Sequence, residues 1–143
     1  MTTGANEKLL VPIDFEAASV KALALAKDLA ARLGYQVVLV HAYQLPVYTY
    51  PGLEPTLLPG FHTEVMAAAQ RAVDQLAQQE GVSAVLREGD AATEVLAVAE
   101  ELGAKMIVMG THGRTGVAHL ILGSVAEKII RKSPVPVVTV RAD

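Results

Sequence analysis

"KMIVMGTHGRTGVAHLILGSVAEKIIRKSPVPVVTV", residues 105–140, carries two apolar runs, 105–110 and 135–140, on either side of a glycine-rich stretch and a helical pattern. Both runs are apolar on consecutive residues, as expected of strands buried on both faces of a parallel sheet. The helical pattern runs from about Ser124 to Lys132 and ends before Pro134, which cannot continue a helix. Strand, helix and strand in this order make a crossover unit, and such units are right-handed. Four glycines, Gly110, Gly113, Gly116 and Gly123, fall between the first strand and the helix. The connection needs bare backbone.

The rest of the chain repeats the unit. "KLLVPID" (8–14), "QVVLVHAY" (36–43) and "VSAVLREG" (82–89) read as further strands. Val20, Leu23, Leu29 and Leu33 fall near helical spacing, as do Val65, Ala69, Val73 and Leu76, and then Val95, Leu96, Ala99 and Leu102. Gly34, Gly81 and Gly103 follow these three patterns where a left-handed helix end favours glycine. The order β-α-β-α-β-α-β-α-β predicts one doubly wound parallel sheet with helices on both faces. Residues 44–61, "QLPVYTYPGLEPTLLPGF", are the exception, because most connections run about 4 to 6 residues. Four of the seven prolines and Tyr48, Tyr50 and Phe61 lie there, which reads either as a mobile flap or as a surface excursion without a role.

Composition removes several function classes. At 143 residues the chain fits one domain, residues 1–143, and its 52% hydrophobic content argues against disorder. Charges, Gly or His interrupt every apolar segment before the roughly 20 residues that cross a bilayer. No membrane partner is expected. "MTTGANEK" lacks the pattern of a secretory signal, and the absence of cysteine leaves no disulfide framework or thiol nucleophile, so a cytoplasmic location is expected. A net charge of −3 and a pI near 5.8 argue against nucleic acid as a partner, since that binding relies on a basic face.

Ligands of doubly wound sheets bind beyond the carboxyl ends of the strands, where strand order reverses. Asp14 lies at the end of the first strand, and Met109, Gly110 and the glycine stretch lie at the end of the fourth. A helix starting after Gly123 would aim free N–H groups and its positive dipole end at an anion, and phosphate is the natural guest. The known phosphate loops do not match. No GxxxxGK[ST] run occurs, and "PIDFEAAS" after the first strand lacks the glycines of a dinucleotide fingerprint.

The pattern Gly110-x2-Gly113-x9-Gly123-Ser124, together with "VPIDF", "VVLVHAY" and a Pro-flanked last strand, resembles the universal stress protein family and specifically its ATP-binding branch. The resemblance covers nearly the whole chain. It implies a five-stranded parallel sheet in the order 3-2-1-4-5, a homodimer paired through residues 135–140, and ATP held across the switch point with Mg2+ carried mainly by phosphates and water. Carried over by position, Pro12 and Asp14 would border the nucleoside, and the backbone of His41 and Ala42 would read the adenine edge. Met109 and Gly110 would line the sugar and α-phosphate. His112, Gly113 and Arg114 would lie along the phosphates, and Gly123, Ser124 and Val125 would offer N–H groups and a hydroxyl. The family often has Ser or Thr two residues after this Asp; Glu16 stands here, which weakens the helix cap and adds a negative charge near the pocket.

Several of these residues also have structural readings. Ser124 with Glu127 fits a capping box, and Asp14 fits a turn or helix cap. His41 reads as a hydrogen-bonded strand histidine, since no metal-ligand spacing accompanies it. A Ser124, His112, Asp14 triad lacks the GxSxG elbow. Phosphoryl transfer needs a positioned nucleophile, carboxylate-held metal and cationic stabilisation, of which only Asp14 and Arg114 can be named. The reading is therefore an ATP-dependent sensor or adaptor with at most slow hydrolysis. An ATPase or nucleotidyl-transfer enzyme, and a dimeric scaffold or chaperone-like protein without nucleotide, remain as alternatives.

Overall fold

The computed structural model describes residues 7–45, 51–52, 61–111 and 122–142. In chain order they form β1 (Lys8–Pro12), α1 (Ala17–Leu33), β2 (Gln36–Tyr43), α2 (Phe61–Glu80), β3 (Ser83–Glu88), α3 (Ala91–Leu102), β4 (Met106–Gly110), α4 (Ser124–Lys132) and β5 (Val137–Val140). All pairings are parallel, and the strand order is β3-β2-β1-β4-β5. The chain builds outward from β1 on one side, then crosses it to add β4 and β5. The switch point therefore lies between β1 and β4.

Alternation along the strands sorts the core into two layers. Leu9, Val11 and Ile13 pack with α1 and α2 on one face, while Leu10 packs with α3 and α4 on the other. Both faces are covered, as the unbroken apolar runs require. Gly34, Gly81 and Gly103 have φ of 75°, 69° and 62°, the left-handed conformation expected at those helix ends. No helix among the described residues is long and apolar enough to cross a membrane.

Some details differ from the sequence reading. In α1 the buried stripe is Ala18, Ala22, Ala26 and Ala30 with Leu23, whereas Val20 and Leu33 are exposed. An alanine every fourth residue gives the helix a narrow face, which lets it lie close over β4. β1 ends at Pro12 rather than residue 14, although Ile13 N–H still reaches the Val40 carbonyl at 2.9 Å, because the chain turns at Asp14. β5 begins at Val137 rather than 135. Pro134 and Pro136 have no N–H to donate, and Pro136 contributes only its carbonyl, to Ile107 N–H at 3.0 Å. Phe61 opens α2 and is not part of the long connection. Most of that connection, with Tyr48 and Tyr50, lies outside the described residues, and so do residues 112–121 with His112, Gly113, Arg114 and Gly116.

Candidate functional site

A cleft of about 680 Å³ opens at the carboxyl ends of β1, β2 and β4, between the N-terminal ends of α1, α3 and α4. Its walls come from six elements that are distant in sequence, three strand ends and three helix starts, with Glu16, Ala18 and Ser19 on the α1 side. β1 and the two residues after it contribute Pro12, Ile13 and Asp14; β2 contributes Val40, His41 and Ala42; β4 and the residue after it contribute Met109, Gly110 and Thr111. Ala91 and Val95 of α3 and Gly123 to Ala126 at the start of α4 close the other side. The volume is in the range of small-molecule sites.

At the β1 end, Asp14 begins a tight turn. Its Oδ1 accepts the Glu16 N–H at 2.9 Å and the Ser19 hydroxyl at 2.7 Å, while the Asp14 N–H donates back to Ser19 Oγ at 3.3 Å. Ser19 is buried at 4% exposure, and its Oγ also lies 3.0 Å from the Glu16 carbonyl. A buried hydroxyl thus orients an exposed carboxylate. The structural reading of Asp14 as a turn residue holds for Oδ1. Glu16 is the N-cap of α1 and makes no side-chain capping bond, in keeping with the weakened cap expected there.

His41 lies at the β2 end with its Nδ1 2.8 Å from the Ile13 carbonyl. The ring ties β2 to β1, which is the structural role read for it. In the neutral ring this bond makes Nδ1 the donor and leaves Nε2 an acceptor.

At the β4 end the chain is clamped across the glycine-rich connection. Thr111 N–H donates to the Val140 carbonyl at 2.9 Å, and the Thr111 carbonyl accepts Gly123 N–H at 2.8 Å. Thr111 and Gly123 are therefore held side by side. Gly123 is the N-cap of α4, with φ −67° and ψ 158°, an extended conformation that any residue adopts. Glu127 N–H bonds to the Gly123 carbonyl at 3.0 Å. The capping box does not form, because Ser124 is already the first helical residue. Gly123 N–H is occupied by Thr111, so the N–H groups that helix geometry leaves without an intrahelical partner are those of Ser124, Val125 and Ala126. With the dipole behind them, they make this wall electropositive while Asp14 and Glu16 make the opposite wall acidic.

A hydrogen-bonded cluster braces the α3 and α4 sides. Asp90, the N-cap of α3, accepts from Thr93 N–H at 3.0 Å, Thr93 Oγ1 at 2.8 Å and Lys128 Nζ at 3.2 Å. Those bonds hold its pKa down to about 2, with the Thr93 backbone N–H the largest cause, then the Thr93 hydroxyl, then Lys128. Among the described residues, no group of three or more His, Asp or Glu side chains is arranged to hold a metal ion.

A model of the universal stress protein family matches residues 5–141. The chain belongs to the universal stress protein family. It is 31% identical over 141 residues to a universal stress protein of Methanocaldococcus jannaschii, an alignment spanning 94% of this chain and 82% of that one. Its fold is shared with UspA from Lactobacillus plantarum, at a TM-score of 0.77, 19% identity, and coverage of 97% and 100% of the two chains. A universal stress protein solved in complex with cAMP shares it at a TM-score of 0.65, 21% identity, and coverage of 96% and 98%.

Of the residues singled out in the sequence, Pro12, Asp14, His41, Ala42, Met109, Gly110, Gly123, Ser124 and Val125 line one cleft in this universal stress protein. Ser19, Thr111 and Asp90 were missed. Only Asp90 had a sequence signal, an acid three residues before Thr93 at the start of an apolar helical pattern. Gly110 has a reason of its own. A Cβ there would stand 2.7 Å from Ala18 Cβ and 2.8 Å from the Ala18 carbonyl carbon, so close helix packing accounts for this glycine without any ligand.

Proposed function

We propose that this cleft binds an adenine nucleotide, ATP, and that the protein is a stress-response sensor or adaptor whose output depends on occupancy, with at most slow hydrolysis. The observation that carries the reading is the start of α4, where Ser124, Val125 and Ala126 supply unpaired N–H groups at the switch point. The residues present fit such a guest. Val40 and Ala42 offer apolar walls and backbone edges for the base, Pro12 and Asp14 border the ribose, and Met109 and Gly110 follow the sugar and α-phosphate. Gly123, Ser124 and Val125 lie on the phosphate side, where His112, Gly113 and Arg114 of the intervening stretch would join them. Mg2+ would be held mainly by phosphate oxygens and water. The universal stress protein in complex with cAMP supports an adenine nucleotide on this fold.

Binding is favoured over turnover because, among the described residues, the groups on the phosphate side are chiefly backbone N–H groups, which stabilise an anion without activating a nucleophile. Residues 1–143 would act as one nucleotide-binding domain, in the cytoplasm, as a homodimer joined through residues 135–140. A ligand specific for the folded state stabilises it by about 2.7 kcal/mol at a hundredfold excess over Kd, about 10 °C in Tm for a chain of this size. Saturating Mg-ATP should raise the melting temperature on that scale, and mass spectrometry of small molecules released on denaturation should find adenine nucleotide. If Mg-ATP moves the midpoint no further than sodium tripolyphosphate does and no nucleotide is released, the proposal fails.

A further inference from the structure

We infer that Glu16 is a specificity-determining residue that restricts the cleft to nucleotides whose ribose carries no phosphate at its 2′ or 3′ position, an inference that rests on the nucleotide reading above. The cleft has two electrically distinct ends. At one, the N–H groups of Ser124, Val125 and Ala126 are joined by Thr111, a lining residue that is 9% exposed and whose hydroxyl has no hydrogen-bond partner among the described residues. A desolvated hydroxyl without a partner is costly. An anionic oxygen beside those N–H groups supplies the partner. Phosphate is thereby directed to this end, and the ribose and base extend toward the other.

That other end is acidic and fixed in place. Asp14 and Glu16 both line it. The turn that carries them is held by the bonds from Glu16 N–H and the Ser19 hydroxyl to Asp14 Oδ1, with Phe15 between them at φ 65°, a strained value for a bulky residue. Neither carboxylate enters an ion pair among the described residues. Lys21, the first cation of α1, donates instead to the Ala142 carbonyl at 3.0 Å. The start of α1 contributes about half a positive charge, which offsets only part of two full negative ones. A carboxylate accepts hydrogen bonds from ribose hydroxyls and repels phosphate, and dinucleotide folds use an acid at the ribose in this way. Asp14 is partly spent on the turn, whereas the Glu16 side chain makes no capping bond and acts by its charge. Repulsion needs no direct contact, because unscreened charges act across a Debye length of about 10 Å in ordinary buffer.

AMP and adenosine 3′,5′-bisphosphate differ by one phosphate on the ribose. If the α4 end alone decided affinity, the added charge would favour the bisphosphate. Calorimetry at low salt should show the opposite, with AMP bound about tenfold or more tighter than either the 3′,5′- or the 2′,5′-bisphosphate. Glu16→Gln should narrow that ratio by about threefold or more, and Glu16→Lys should abolish or reverse it. Raising NaCl to about 0.5 M should narrow it in the wild type, because salt screens exposed charges. Glu16 is exposed, so both variants should fold, as circular dichroism will check. A ratio that stays the same in wild type, Glu16→Gln and Glu16→Lys would overturn the inference, since rejection for lack of space does not depend on charge. Wild-type protein that binds ATP, and binds the bisphosphates as tightly as AMP, would also overturn it while leaving the nucleotide reading standing. Wild-type protein that binds neither AMP nor ATP would overturn both.

Discussion

Gly110→Ala should destabilise the protein through a collision with α1 rather than through backbone conformation. Gly110 does not have the positive φ that favours glycine, yet an added Cβ would lie 2.7 Å from Ala18 Cβ, 2.8 Å from the Ala18 carbonyl carbon and 2.9 Å from the Ser19 nitrogen. Two of those three atoms are backbone, so no side-chain rotation relieves the contact. The N-terminal turn of α1 has to move. Overpacking of this kind costs about 1–3 kcal/mol, and at about 3–5 °C per kcal/mol for a domain of this length the melting temperature should fall by about 3–15 °C. Gly34→Ala is the control: its Cβ would meet nothing within 4 Å, but φ is 75°, so only left-handed strain of about 1 kcal/mol is added. Urea unfolding followed by circular dichroism gives both midpoints, and unchanged m-values would assign the shifts to stability. Because Ser19 moves with the helix, and Ser19 orients Asp14, Gly110→Ala should also weaken ATP binding, whereas Gly34→Ala should not. A Gly110→Ala protein within about 0.5 kcal/mol of wild type, the usual limit for neutral substitutions, would refute the close approach.

Asp90 has a folded-state pKa lowered from 3.8 to about 2, so the stability it contributes is complete above its unfolded value and is lost as pH falls from about 4 toward 2. Asp90→Asn, which keeps an oxygen for Thr93 N–H but no charge for Lys128, should lose less stability over that interval; parallel midpoint-against-pH curves for the two proteins would exclude the effect. The proposed dimer is tested best at residue 139. Pro136 and Val140 direct their carbonyls to β4, so Val137 and Thr139 direct their backbone groups to the open edge of the sheet. Thr139→Pro should shift sedimentation from dimer toward monomer with β4 pairing intact. A wild-type monomer at tens of micromolar, or a dimer indifferent to Thr139→Pro, would count against that interface.

The fold was legible because the signals that define it are local. Runs such as Leu9 to Val11 and Ile107 to Met109 are apolar on both faces, and only a sheet covered on both sides buries them. Gly34, Gly81 and Gly103 marked helix ends through a conformation that other residues resist. The face of α1 was misread because periodicity favours large residues, and Val20 and Leu33 happen to keep helical spacing. A helix pressed against β4 at Gly110 has room only for alanine on its contact side. That constraint comes from the strand it touches and is invisible in the helix alone.

The same distinction divides the site. Topology brings strand ends together, so Asp14, Met109 and Gly110 could be assigned to one cleft before any side chain was considered, while Ala42 was added by the family resemblance. Which donors remain free at that cleft depends on bonds between segments. Ser124-x-x-Glu127 has the form of a capping box, but Thr111 holds Gly123 by its N–H, and the chain enters α4 one residue earlier than the box requires. The hydroxyl of Ser124 is thereby spared from capping, and the N–H groups without an intrahelical partner shift one residue toward the N-terminus, to Ser124, Val125 and Ala126. Asp14 shows the converse. One carboxylate oxygen is engaged by a turn that a buried serine five residues away helps to build, so the residue that reads most plainly as ligand-binding also supports the strained Phe15 beside it. Removing Ser19 would therefore disturb Asp14 and the backbone at Phe15 together, because one hydroxyl holds the turn that contains both.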